Sequence, residues 1–198
     1  MTAPLWRSRP TAFEMRPADR VRRKAVADGI HLSEGYSNAY LVVTREGRVV
    51  INTGMGFEAP LHKEYFDAVD RGPIRWIVLT QGHVDHVGGV DCFREPGTEI
   101  VAHANNAAQQ AYDARLAPFR ARRSAFAFAE AFARMAGTAG APPPVQSRPT
   151  PTITFTDRYD FALGGERFEL IGCPGAETED SLVVWLPARR ICFTGNVF

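Results

Sequence analysis

The chain has no excess of charge of either sign: 23 lysines and arginines stand against 22 aspartates and glutamates, a formal net charge of +1 at pH 7. The electrostatic footprint of a nucleic-acid binder is therefore missing, and no nucleic-acid partner is expected. No apolar run approaches the roughly 20 residues of a membrane helix, so no membrane partner is expected either. Cysteine is scarce. Cys92, Cys173 and Cys192 are odd in number, far apart and without a CxxC pair. A disulfide framework and a thiolate zinc site are thereby disfavoured, and reduced, structural thiols are expected. The opening stretch "MTAPLWRSRPTAFEMRPADR" lacks the apolar core of a secretory signal, which makes a cytoplasmic location the expectation.

What is present suits a globular α/β chain. A length of 198 residues can bury one substantial core. Residues 1–30 form a polar, Arg-rich lead-in, and residues 31–198 carry the patterned domain. "NAYLVVT" and "RVVINT" flank "REG", a hairpin signal. "APLHKEYFDAVD" has helical spacing with Pro60 near its start, and Gly72 and Pro73 stop it. "IRWIVLT" is short, continuous and apolar, the pattern of a buried strand, and "TEIVAH" supplies another. Residues 104–135 turn to Ala, Gln, Arg and Phe with an interruption at Pro118. They predict a helical insertion of two helices, the second presenting Phe126, Phe128 and Phe132. Residues 137–152 are too rich in proline and glycine for regular structure and read as a linker or surface loop. Strand candidates "RYDFAL", "RFELIGC", "SLVVWL" and "RICFTG" follow. Strands alternating with helices, then a run of hairpins, predict α/β layers around mixed sheets.

The chemistry concentrates in "VLTQGHVDHVGG". A strand ending at Thr80 delivers the next loop to its carboxyl edge, where α/β proteins place their sites. His83, Asp85 and His86 sit in that loop. Imidazole nitrogens and a carboxylate suit zinc and related divalent ions, and Asp85 and His86 can point away from His83 to serve a neighbouring ion. Gly88 and Gly89 would let the following helix approach the loop closely. The plain alternative is a polar helix cap with exposed histidines. His103 reads as a packing or supporting residue, and His31 and His62 as surface or core residues.

The order "SNAYLVVTREGRVVINTG", helix, "IRWIVLTQGHVDHVGG" resembles the metallo-β-lactamase superfamily from about Ser37 onward. That family's T-H-x-H-x-D-H-x-G-G pattern is matched at Thr80, His83, Asp85, His86, Gly88 and Gly89, while the first histidine is replaced by Gln81. A neutral amide is a poor zinc donor beside imidazole. Where the superfamily usually carries a histidine in a "PGHT" loop, this chain has "CPGAETEDSLVVWLP", which resembles the "TEAP" loop of the alkylsulfatase branch. The resemblance implies Glu177 as a ligand, with Glu179, two residues on, as its rival. "ARRSAF" looks like a helical arginine pair of that branch. Arg122 and Arg123 are thus candidate substrate residues, since a guanidinium fork suits a sulfate monoester, or else they line a solvated helix face. Asn52 stands where the superfamily often has aspartate. Asn196 stands where it commonly has a metal-bridging aspartate, and Gly195 where the alkylsulfatase branch has a glutamate.

By that resemblance the fold is an αββα sandwich, apparently truncated at its C-terminus, because the superfamily continues to one more ligand histidine beyond the equivalent of Phe198. A fragment of a longer protein is the expectation. The implied activity is a metal-dependent hydrolase that cleaves alkyl sulfate esters with an activated water. Its cofactor would be zinc, as one or two divalent ions. Asp85 and His86 would hold one ion and His83 and Glu177 the other, with Asp85 also the candidate catalytic carboxylate. The expected partner is a small-molecule ester, its alkyl tail covered by the Phe126–Phe132 segment unless those aromatics are core. A homo-oligomer is left open. A carboxylic ester, lactone or thioester hydrolase of the same fold is the alternative. So is a metal-poor binding scaffold, which Gln81, Asn196 and the absence of the last ligand histidine would favour.

Overall fold

A computed structural model describes residues 15–124, 128–129, 133 and 145–197. The first strands are β1 (Arg23–Ala27), β2 (Ile30–Ser33), β3 (Ala39–Thr44) and β4 (Gly47–Ile51), followed by helix α1 (Ala59–Val69) and β5 (Ile74–Leu79). Two short helices, α2 (Val84–Val87) and α3 (Val90–Phe93), precede β6 (Glu99–His103) and the long α4 (Asn106–Ser124). The chain then forms β7 (Ile153–Phe155), β8 (Arg158–Leu163), β9 (Glu166–Gly172), β10 (Leu182–Leu186) and β11 (Ile191–Phe193).

A seven-stranded sheet runs β1 to β7 in sequence order, and a four-stranded sheet runs β11-β10-β9-β8. β1 through β4 pair antiparallel, whereas β4, β5, β6 and β7 are parallel. The parallel strands are covered on both faces, which is why "GRVVI" and most of "IRWIVL" read as unbroken apolar runs. β9 alternates instead: Phe168 and Leu170 are buried while Arg167 is exposed, as a sheet with one covered face requires. Between the sheets lies one apolar cluster that includes Val42, Val49, Val78, Phe168, Leu170 and Val184. Trp76, Phe161 and Phe168 stack there, with centroid separations of 4.0 and 4.7 Å. A second cluster seats α1, α2 and α3 on the outer face of the larger sheet through Phe66, Val87, Val90 and Phe93 against Leu41, Ile77 and Leu79. The described residues thus build three layers of the expected sandwich: helices, the larger sheet and the smaller sheet.

Three local expectations change. The polar lead-in drawn over 1–30 contains β1 and the first residue of β2. β1 pairs through its backbone at the sheet's edge, where its side chains stay half-buried or exposed, so no apolar pattern announces it. The helix expected after the His/Asp turn is two single turns separated by Gly88 and Gly89. The break expected at Pro118 is absent, and α4 passes through that residue. Proline deprives the helix of one N–H at that point without preventing the turns on either side. Phe126 and Phe132 lie outside the described residues. Among the described residues no helix is long and apolar enough to cross a membrane.

Candidate active site

Three parallel strands end side by side, and the loops that leave β4, β5 and β6 share one edge of the sheet. Asn52 follows β4 with a positive φ of 57°, a conformation asparagine tolerates. Its amide clamps the neighbouring loop: Nδ2 donates to Thr80 Oγ1 at 2.9 Å and Oδ1 accepts from Thr80 N at 3.0 Å. Thr80 O in turn accepts from Leu182 N at 3.0 Å, tying the loop to the second sheet. Gly89 sits so close to Thr53 and Ala59 that a Cβ would collide with both, and Gly88 is equally crowded by Gln146 and Val84. The glycine pair therefore permits the tight packing that fixes the turn.

His86 is buried at the base of this loop, its ring within 3.2 Å of Thr80 Oγ1 and 3.3 Å of Ser37 Oγ. Burial pushes its pKa down, opposed by the nearby Asp85 carboxylate, so the imidazole is held neutral with a free lone pair. Its Nε2 lies 3.6 Å from Asp85 Oδ2. His83 stands higher, with its ring between two carboxylates: Nδ1 is 3.9 Å from Glu177 Oε1, and Nε2 is 3.8 Å from Asp113 Oδ2. The Gln81 amide nitrogen also meets His83 Nδ1, at 2.7 Å. Glu179 is exposed, as Glu177 is, and lines a neighbouring cavity with His83, Arg120 and Glu177, while its backbone carbonyl accepts from Asn105 Nδ2 at 3.0 Å. Asp180 is fully buried, bonded to Asn106 Nδ2 at 2.8 Å and Thr178 Oγ1 at 2.7 Å. It anchors the loop that presents Glu177.

A cavity of about 470 Å³ opens beside these groups. His83, Asp85, Asp113 and Glu177 supply its polar wall, while Tyr36, Met55, Val84, Ala117, Ala121 and Phe128 supply an apolar one. Arg120 also lines it, with Nη1 2.8 Å from Asp113 Oδ1. Arg122 and Arg123, expected at the substrate, are exposed and do not line this cavity. The reason is helical geometry: with about 100° per residue, the face carrying Asp113, Ala117, Arg120 and Ala121 turns positions 122 and 123 away. Asn196 lines this cavity and a neighbouring one of about 400 Å³ that also includes Asn52 and His86. His103 is buried against Phe155, and His62 is buried beneath the site with Nδ1 2.7 Å from Ser33 Oγ.

Sequence reasoning passed over Asp113 and Asp180. Asp180 sits inside the quoted loop, and its neighbours Thr178 and Ser181 were a signal of an Asx-type hydrogen-bonded turn. Asp113 gave none, because its contact with His83 is made only when α4 folds over the loop.

Among the described residues no group of three or more His, Cys, Asp or Glu side chains is gathered tightly enough to hold a metal ion. The donors occur as two pairs, and their chemistry fits a divalent ion. Two ligands at about 2 Å from one tetrahedral ion stand about 3.3 Å apart, so these pairs, now 3.6 and 3.9 Å apart, would each close by a few tenths of an ångström around an ion. Each pair would leave coordination positions for water or substrate.

The Metallo-beta-lactamase superfamily model matches residues 32–198. A linear primary-alkylsulfatase from Pseudomonas sp. is 25% identical over 174 residues, which cover 79% of this chain and 32% of that protein. The chain therefore spans about a third of that relative's length. Among solved structures, a stereoselective inverting sec-alkylsulfatase from Pseudomonas sp. superposes with a TM-score of 0.67 at 17% identity, covering 84% of this chain and 29% of the other. A metallo-beta-lactamase from Pontibacter korlensis gives 0.63 at 22% identity, covering 89% and 70%. With the strand-end loops, the clamped His/Asp turn and the two-sheet core in place, the match over residues 32–198 establishes that the chain belongs to the metallo-beta-lactamase superfamily.

Proposed function

We propose that this chain carries metal-binding residues of a hydrolase that cleaves alkyl sulfate esters, with zinc as its cofactor. The observation that supports it best is the two-sided cavity: metal-type donors on one wall and apolar side chains on the other, about 470 Å³ in volume. A charged ester head beside the donors and an alkyl chain against Met55, Val84, Ala117 and Phe128 would satisfy both walls. The alkylsulfatase relative at 25% identity points to the same substrate class.

Asp85 and His86 would hold one ion, and His83 and Glu177 the other. When bound, a divalent ion supplies a water acidic enough to ionise near neutral pH and polarises the ester oxygen. The chain's own groups do the rest. His86, kept neutral by burial, offers a lone pair at no protonation cost near pH 7. Asp85 and Glu177 bring the negative charge that a dication needs and that neutral Gln81 and Asn196 withhold. Asp85 would also be the carboxylate that accepts a proton from the attacking water. The apolar wall excludes bulk water from the ester, and Arg120 is the cation at the cavity lining that can meet a sulfate oxygen.

Turnover of medium-chain alkyl sulfates by the zinc-loaded full-length protein tests the proposal. Hydrolysis of sulfates is the expected result. Hydrolysis of carboxylic esters, lactones or thioesters with none of sulfates would move the protein to that chemistry. Neither activity, with no stoichiometric zinc, would leave a binding scaffold, the reading that Gln81 against His83 Nδ1 favours.

A further inference from the structure

Asp113 lies thirty positions beyond His83 in the chain, on a helix outside the His/Asp motif, yet it meets the ring nitrogen that Glu177 does not. Its side chain is almost wholly buried, and its two oxygens are used differently. Oδ1 accepts from Gln109 Nε2 at 3.0 Å and faces Arg120 Nη1 at 2.8 Å. Oδ2 is buried without a hydrogen-bond partner among the described residues, and 3.8 Å away stands His83 Nε2. A closure of about 1 Å makes that contact a hydrogen bond and satisfies a buried acceptor that otherwise costs stability.

We infer that Asp113 is the positioning residue for His83: it holds the ring in the Nε2–H tautomer, so that Nδ1, the nitrogen nearer Glu177, keeps the lone pair that the Gln81 amide meets in the metal-free protein. The tautomer follows from what each neighbour is able to do. The Gln81 amide touches Nδ1 at 2.7 Å and can turn to present either its NH2 or its oxygen, so it serves either tautomer. An ionised carboxylate only accepts. Asp113 therefore decides, and the proton resides on Nε2. Such a carboxylate behind a ligand imidazole fixes ring orientation and raises the basicity of the opposite nitrogen. Arg120 and Gln109 complete the arrangement by locking the carboxylate from its other oxygen, which also couples the cavity-facing side of α4 to the motif loop.

The inference shares with the proposed function only the use of His83 as a donor, and its test separates the two. The full-length, metal-free protein with 15N-labelled histidine is observed at pH 8 by long-range 1H–15N correlation. His83 is identified by loss of its signals in His83→Gln. Wild type is expected to show Nε2 protonated and Nδ1 bare. Asp113→Asn is the decisive variant. Its Oδ1 stays with Gln109 and Arg120, so the new NH2 replaces Oδ2 and donates to Nε2, forcing the proton onto Nδ1. The inverted tautomer is therefore expected, with zinc affinity in a direct titration about 10- to 100-fold weaker. Asp113→Glu, which remains an acceptor, is expected to keep the wild-type tautomer. A wild-type ring protonated on Nδ1, or a tautomer unmoved by Asp113→Asn, overturns the inference. If Asp113→Asn does not fold, the wild-type tautomer alone still decides. A wild type that takes up no zinc, yet shows the Nε2–H tautomer, would instead remove the proposed function and leave this inference standing.

Discussion

Glu177 and Glu179 share one loop, one charge and an exposed setting, but Glu177 Oε1 lies 3.9 Å from His83 Nδ1, whereas the contact made at Glu179 is its carbonyl accepting from Asn105. Replacing Glu177 by alanine removes a donor with no substitute beside it. Zinc affinity is expected to fall at least about tenfold, about 1.4 kcal/mol, whereas Glu179→Ala should change it less than about twofold. Glu177→His should retain zinc, because it restores the commoner ligand type. Calorimetric titration of the three variants checks this, and the opposite order for the two alanine variants would make Glu179 the ligand. At this scale much of the site was legible: the spacing of His83, Asp85 and His86 after an apolar strand predicts a strand-end loop, and the loop is there. The choice between Glu177 and Glu179 was not legible, because a two-residue offset in an irregular loop carries no periodicity. Asp113 was invisible for a different reason. An aspartate among alanines and arginines on a helix looks like ordinary solvated charge until tertiary packing puts it against a histidine.

Helix α4 shows how an element sorts its residues by face. Arg120 shares the cavity face with Asp113, Ala117 and Ala121, while Arg122 and Arg123 are exposed. If sulfate is bound there, Arg120→Ala should raise KM for alkyl sulfates by about tenfold or more, and alanine at 122 or 123 should alter it less than about twofold. Steady-state kinetics on the three variants decides, and a larger effect at 122 or 123 would mean that substrate approaches over the outer face. Helix α1 contributes a different consequence through His62, which is fully buried with Nε2 lacking a hydrogen-bond partner among the described residues. Burial, with a smaller contribution from Arg23, depresses its pKa from the usual 6.5 to about 3. Between those values the unfolded chain takes up a proton that folded His62 refuses. Its contribution is fully present above pH 6.5 and is lost progressively as pH falls toward about 3, on the order of 5 kcal/mol in all. Glu58, whose pKa burial raises, acts in the opposite sense. The effect is therefore read as a difference: urea unfolding from pH 7 to 4 should fall less steeply for His62→Gln than for wild type. Equal slopes would show that His62 titrates normally. The strand β1 illustrates the limit of pattern at this scale, since an edge strand needs backbone partners and not an apolar stripe.

Across the whole molecule, the two-sheet core and the helical layer place three strand ends at one edge, and the site is assembled there from the loops leaving them, from α4 and from the β9–β10 loop of the smaller sheet. The α/β class and most strands were readable because burial on one or both faces writes itself as alternation or as an unbroken apolar run. The seating of α4 was not, because its contacts with the loops depend on a few polar pairs rather than on a continuous apolar face. The central claim is that these segments gather His83, Asp85, His86 and Glu177 to bind one or two divalent ions for ester hydrolysis. Zinc content per chain, measured on the full-length protein after equilibrium dialysis against zinc, tests it most directly when wild type is set beside His86→Ala and Asp85→Asn. The account predicts stoichiometric zinc in wild type and a clear loss in each variant. A wild type that retains no zinc, or variants that retain as much as wild type, would contradict it.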